Sequence, residues 1–194
     1  MEEGSLRESS SLGGSPPLSQ AIVKSERLMF CSVALLSKLL REQFSILHRR
    51  LLAIVREDEV CRRLMTVPGV GPVVALTYRA TVDVPARFHK SKSVGAVLGL
   101  TCSRDQSGER DRPGAISRCG DEMMRAMLYE AAQAMLLRSA KWSWLKAWAM
   151  KIARHRGLKR ATVALARRLA VIMHRIWVDG TEFRWSREQT AAAA

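Results

Sequence analysis

The sequence predicts a mainly α-helical protein with at most one small β-hairpin, and three observations carry that reading. Residues 20 to 63 contain no Pro and no Gly, and their apolar residues recur at helical spacing. Elsewhere Pro and Gly fall in tight clusters that separate shorter helical patterns. The polar, glycine-spaced stretch from Thr101 to Gly120 has the composition of a loop or a hairpin.

The chain has 194 residues, enough for one ordinary domain and an appendage, and 47% of them are apolar, enough for a packed core. Lys and Arg number 32 against 18 Asp and Glu, a net charge of +14. That imbalance calls for an anionic partner, nucleic acid first and a membrane surface second. No run reaches the ~18 apolar residues of a membrane span, and the basic helices keep no strongly apolar outer face, so no membrane partner is expected. The acidic start, Met1-Glu2-Glu3-Gly4, lacks the apolar run of a secretory signal. Cys31, Cys61, Cys102 and Cys119 show no C-x-x-C spacing. They read as reduced thiols, not disulfides or zinc ligands, and no metal site is expected in this chain. The expected location is cytoplasmic.

Residues 1–18, rich in Ser, Gly and Pro, cannot build a core and are expected to be disordered. Residues 19–61 read as one long helix. Met29, Val33, Leu36, Leu40, Phe44, Leu47, Leu51 and Ile54 form a stripe close to a heptad, with a stutter between Leu40 and Phe44. Such a stripe packs either on the rest of the chain or on a partner helix as a coiled coil, so a homo-oligomer through residues 20–61 is one expectation. Residues 62–138 form the next region. A turn at Val67-Pro68-Gly69-Val70-Gly71 leads into a short helix ending near Arg79, and a break at Pro85 precedes a helix from Lys92 to Leu98 closed by Gly99. After the polar stretch, Asp121 and Glu122 open a helix that Arg138 closes, charges that suit the helix dipole. Residues 139–178 carry two basic helices, about Lys141 to Arg156 and Leu158 to Val178, divided by Gly157, and residues 179–194 read as a frayed tail.

Three motifs bear on chemistry. The helix-turn-helix around Leu64 to Leu76 resembles a helix-hairpin-helix element. Gly69 and Gly71 would let the backbone approach a phosphate, with free N–H groups of the following helix facing the anion. The alternative is a turn that only packs. The second motif is the span from Arg138 to Val178, which has eleven Lys or Arg and no Asp or Glu. A solvated face normally mixes signs, so this one reads as an electrostatic footprint, with Arg160, Arg167, Arg168 and Arg175 expected on one side of the last helix. Trp142, Trp144 and Trp148 lie among its lysines and are assigned to core packing, with base stacking as the alternative. The third is Leu98 to Gly120. Ser107-Gly108 alone is a common turn pair, and no His stands near it in sequence to serve as a base.

The order V-P-G-V-G-P, A-R-F-H-K-S-K-S-V-G-A-V-L-G-L-T, Q-S-G, G-A-I-S-R-C-G-D and Leu128-Tyr129-Glu130-Ala131-Ala132 resembles the C-terminal domain of the insertion-sequence-110 family of bacterial transposases, the bridge-RNA-guided recombinases. The likeness covers about Arg62 to Leu137 well and the basic helices more loosely. It implies DNA transposition through a serine nucleophile that bonds covalently to a DNA phosphate, and the matching serine is Ser107. It implies a coiled coil where residues 28 to 63 stand. It also implies DNA as partner, a structured guide RNA, a nucleoid-associated bacterial location, and Mg²⁺ held by an acidic RNase-H-like (RuvC-like) domain. Nothing before residue 20 has the make-up of that domain, so Mg²⁺ is not expected on this chain. DNA contacts are expected at Gly69, Gly71, Lys90, Lys92, Arg104, Arg112, Arg118 and the four late arginines. Cys102 stands where the family pattern has Pro, and Asp105 where it has an aromatic residue. The rival expectation is therefore a DNA- or RNA-binding remnant of a truncated transposase that does no chemistry.

Overall fold

The computed structural model describes residues 18–107 and 110–186. The expected disorder of the first residues lies outside these, except for Leu18, which already belongs to a helix. Contacts divide the chain into two units, one ending at His48 and the other beginning at Arg49.

Helix α1 (Leu18–Glu57) runs through the first unit and into the second. Of its stripe, Val33, Leu36, Leu40, Phe44 and Leu47 are 59 to 70% exposed, while Leu51 packs against the core of the second unit. The expected continuous helix to residue 61 is corrected at Asp58. That residue has φ −88° and ψ 111°, leaves the helix, and caps α2 (Glu59–Leu64) by accepting a hydrogen bond from the Val60 N–H at 3.0 Å. An aspartate competes with the helix for backbone donors, and here its carboxylate also pairs with Arg79.

The second unit continues with α3 (Pro72–Val82), a 3₁₀ turn at Pro85–Arg87, α4 (Ser91–Val97), the antiparallel strands β1 (Cys102–Ser107) and β2 (Arg110–Ile116), then α5 (Glu122–Leu137), α6 (Trp144–Arg156) and α7 (Leu158–Asp179). The protein is mainly helical with one two-stranded sheet. Helix α3 passes the expected end at Arg79 by three residues. Helix α6 starts later than Lys141 because the Ser143 hydroxyl accepts from the Lys146 N–H and caps it. Asp121 caps α5 in the same way through Met124. Gly157, at φ +82°, ends α6 and turns the chain into α7.

Helix α7 is the hub on which α2, α4, α5 and α6 pack. Leu165, Leu169 and Met173 supply its apolar volume, while Ala161, Ala166 and Ala170 let its neighbours come close; all six are fully buried. Met124, Leu128, Ala131, Ala132 and Met135 of α5 meet this core, as does Tyr78 of α3, whose hydroxyl donates to the Ala170 carbonyl at 2.7 Å.

The expected frayed tail from residue 179 is corrected over its described part. Phe183 is buried, its N–H donates to the Thr66 hydroxyl at 2.9 Å, and it meets Trp185 edge to face. The Trp144 indole N–H donates to the Arg184 carbonyl at 3.0 Å. Two large rings give the segment enough apolar area to dock. Residues 187–194 lie outside the described residues. No helix among the described residues is long and apolar enough to cross a membrane.

Candidate nucleic-acid interface

The strands form a ribbon on which no helix packs closely. Its root is locked. Gly99 adopts φ +68°, and an added Cβ would stand 2.1 Å from the Cys119 carbonyl oxygen. Gly120 adopts φ +89°, and an added Cβ would stand 2.0 Å from the Val97 carbonyl oxygen. Only glycine fits two such positions. The Ser117 N–H donates to the Thr101 carbonyl and the Arg118 N–H to that of Gly99, at 2.8 and 3.1 Å. The ribbon is therefore fastened between the end of α4 and the start of α5.

Ser107 is exposed and ends β1, and the register sets it opposite Arg110. Asp105 stands opposite Arg112, and Arg104 opposite Pro113. Arg118 is exposed at the root with φ +55°.

Lys90 and Lys92 are exposed on either side of Ser91. Ser91 hydrogen-bonds to Nδ1 of the buried His174 at 3.1 Å, and Nε2 of His174 meets the Pro85 carbonyl at 3.1 Å. A carbonyl only accepts, so Nε2 carries the proton. Phe88 packs edge to face on the same ring. One α7 side chain thus fastens the segment that carries Lys90 and Lys92, right beside the exposed Arg175. Further along α7, the Arg167 stem fills the space over Gly95 of α4, where an added Cβ would come within 2.9 Å of its Cγ. Arg160 lies two turns earlier on the same side as Arg167. Lys90, Lys92, Arg160, Arg167 and Arg175 are all exposed.

Arg168 departs from this face. Its guanidinium sits over the indoles of Trp148 and Trp144 at 4.3 and 5.1 Å from the ring centres. The expectation of four arginines on one side is corrected: Arg160 and Arg167 share one side of α7, and Arg168 is drawn onto α6, because a flat cation gains more over two half-buried rings than in water. Gly69 is likewise a packing residue. At φ +86°, it turns the side where a Cβ would stand toward α5, 2.3 Å from the Ala131 carbonyl oxygen and 3.0 Å from the Met135 nitrogen. It makes room for a helix, where the sequence had suggested a phosphate. Gly71 is different: it caps α3, and nothing lies within 4 Å of an added Cβ.

The shifted titratable groups serve the scaffold. Burial raises the Asp58 carboxyl, but hydrogen bonds from Cys61 and Val60 and the charge of Arg79 outweigh it and hold it below the usual range. Burial, then the neighbouring Asp58, pushes the Cys61 thiol up to about 12. Burial also raises the Tyr78 phenol. Asp121 is lowered chiefly by the Met124 N–H. Among the described residues no group of three or more His, Cys, Asp or Glu is placed to hold a metal ion.

Sequence reasoning missed the parts played by His174, Arg168 and the Phe183–Trp185 segment. A lone histidine on an otherwise apolar helix gave no signal. Trp144 and Trp148, four residues apart and one turn of helix from each other, were the available signal for a cation seated over both.

A mostly helical, strongly basic domain carrying one rooted polar ribbon matches a known class. Residues 61–149 match the model of the transposase IS116/IS110/IS902 family, and this segment is a domain of that family. It is 34% identical over 131 residues to the transposase for insertion sequence element IS1111A of Coxiella burnetii, covering 65% of this chain and 35% of that protein. It is 29% identical over 144 residues to the transposase for insertion sequence element IS1328 of Yersinia enterocolitica, covering 73% and 43%. A Sinorhizobium fredii protein with a transposase name, y4pF/y4sB, is 32% identical over 149 residues, covering 76% and 38%. The chain therefore spans less than half the length of these relatives.

Proposed function

We propose that this chain is the DNA-binding, serine-bearing part of an insertion-sequence transposase. The observation that supports the reading best is the ribbon: an exposed Ser107 with an arginine opposite, fastened beside the cationic face of α4 and α7. Lys90, Lys92, Arg160, Arg167 and Arg175 neutralise backbone phosphates, which sets affinity and register without reading sequence. Arg104, Arg112 and Arg118 extend the cationic path along the ribbon. A scissile phosphate then sits against Ser107. The Ser107 Oγ bonds to phosphorus, its proton leaves to a base, and the departing sugar oxygen takes up a proton. An unassisted hydroxyl is a weak nucleophile, so the step needs activation from outside this ribbon. The reading assigns that activation to an acidic RuvC-like domain with Mg²⁺, supplied as a separate chain or segment. A structured guide RNA and a second copy paired through residues 20–61 complete the assembly.

Asp105 favours a second reading. A carboxylate two residues from the nucleophile repels the phosphate it must attack, and a DNA- or RNA-binding remnant that does no chemistry would tolerate it. A covalent-adduct assay decides between the two. The chain is incubated with labelled element-end DNA, guide RNA, Mg²⁺ and a separately expressed RuvC-like domain of the family, then run on a denaturing gel. Labelled DNA retained by the wild type and lost in Ser107→Ala is the expected result. Salt-sensitive binding by both proteins with adduct in neither would remove Ser107 from the mechanism.

A further inference from the structure

Of the three tryptophans interleaved with the lysines after α5, two are spoken for. Trp144 and Trp148 are half-buried and carry the Arg168 guanidinium. Trp142 is not part of that packing: it is 63% exposed, on the short connection between α5 and α6. That connection is well tied. The Ser139 hydroxyl donates to the Lys141 carbonyl at 3.1 Å, Lys146 Nζ donates to the Ser139 carbonyl at 2.6 Å, and the buried Ser143 caps α6. The cations around the ring are held as well. Lys146 Nζ lies 5.7 Å from the Trp142 ring centre, and Lys141 Nζ lies 4.0 Å above Trp185.

The exposed Trp142 ring stands in a stretch with eleven cations and no carboxylate from residue 138 to 178. A flat, anionic-backed partner suits it. A nucleobase presents a face to an indole only when it is unstacked from its neighbours, as in a single strand, a loop or a bulge. We propose that Trp142 is a stacking platform for an unpaired nucleobase, whose flanking phosphates are drawn by the positive field of this stretch. This rests on the nucleic-acid reading above and adds a site for single-stranded segments to it.

The test measures binding of the full chain to an oligo-deoxythymidine strand, an oligo-uridine strand, the deoxythymidine strand with abasic residues, and a blunt duplex. Trp142→Ala and Trp142→Phe are compared with wild type at fixed salt. The ring is exposed, so both variants are expected to melt with the wild type. Trp142→Ala weakens single-strand binding on the order of ten- to a hundredfold, Trp142→Phe restores most of it, and duplex affinity moves by less than about twofold. Wild type binds the abasic strand as weakly as Trp142→Ala binds the intact one. Whichever of the two single strands shows the larger loss identifies the sugar type the site serves. Equal single-strand binding by wild type and Trp142→Ala would overturn the proposal and leave the nucleic-acid reading standing. Absence of binding to every probe by the wild type would overturn both. Trp142-dependent self-association without any oligonucleotide effect would assign the ring to a protein contact and overturn it too.

Discussion

Replacing Gly69 by Ala is expected to destabilise the second unit by about 2–5 kcal/mol. Two costs add. At φ +86° an L-residue sits in the left-handed region, which costs roughly 1–2 kcal/mol. The new Cβ would also stand 2.3 Å from the Ala131 carbonyl oxygen and 3.0 Å from the Met135 nitrogen. Those two atoms are four residues apart and form one rung of the α5 ladder, so the intruding carbon meets stiff backbone. Relieving such overpacking costs about 1–3 kcal/mol more. The sum is a large part of a typical stability of about 5–15 kcal/mol. Urea unfolding followed by far-ultraviolet circular dichroism reads it as a lower midpoint at unchanged slope. Gly71→Ala is the control. Its φ is −94° and its Cβ meets nothing, so the change should stay within about 1 kcal/mol. A Gly69→Ala protein as stable as the wild type but unable to bind DNA would refute the packing argument and restore the phosphate reading of this glycine.

Other outcomes follow from the same structure. Phe183→Ala should cost about 3 kcal/mol or more in the same unfolding assay, since it empties a buried site; a loss under about 0.5 kcal/mol would return the segment to the status of a loose tail. Asp58 and Asp121 both titrate below the ordinary carboxylate range when folded. Their contribution is therefore complete above about pH 4 and lost as pH falls through the folded values. Asp58→Asn and Asp121→Asn should each flatten the acid limb of the urea midpoint plotted against pH, and an unchanged limb in both would contradict the assignment. Sedimentation of the wild type should show concentration-dependent association that Leu36→Glu with Phe44→Glu abolishes. A monomeric wild type at every concentration would exclude residues 20–61 as a pairing helix.

Much of this is legible in the sequence, and the reasons are local. Gly157 marks the α6–α7 border because no other residue adopts its backbone cheaply, and Asp121 announces α5 because a carboxylate satisfies free helix donors. The ribbon was legible as a polar, glycine-spaced stretch. What stayed hidden depends on distant neighbours. Asp58 breaks a helix without Pro or Gly, helped by Arg79, twenty-one residues on. Phe183 and Trp185 are too few to show a period, yet they dock through Thr66 and Trp144. The turn glycines looked equivalent in sequence, and only the position of α5 separates the buried Gly69 from the open Gly71. Arg168 counted as one more positive charge until two indoles claimed it. At the candidate site, Ser107 came from the family likeness and not from its surroundings, whereas Lys90 and Lys92 were readable as charge but not as cargo fastened by His174.

The root of the ribbon has a consequence for how such a protein can change over generations. Gly99 and Gly120 interlock with Cys119 and Val97, so the fixed demands of folding fall on a few positions at the base. Beyond them the strands answer mainly to each other. Residues toward the tip can therefore be exchanged, lengthened or retuned without charging the helical core for it. The demands of what the tip touches and of a stable body therefore fall on separate parts of the same chain, and the body serves as a platform on which a new tip can be tried.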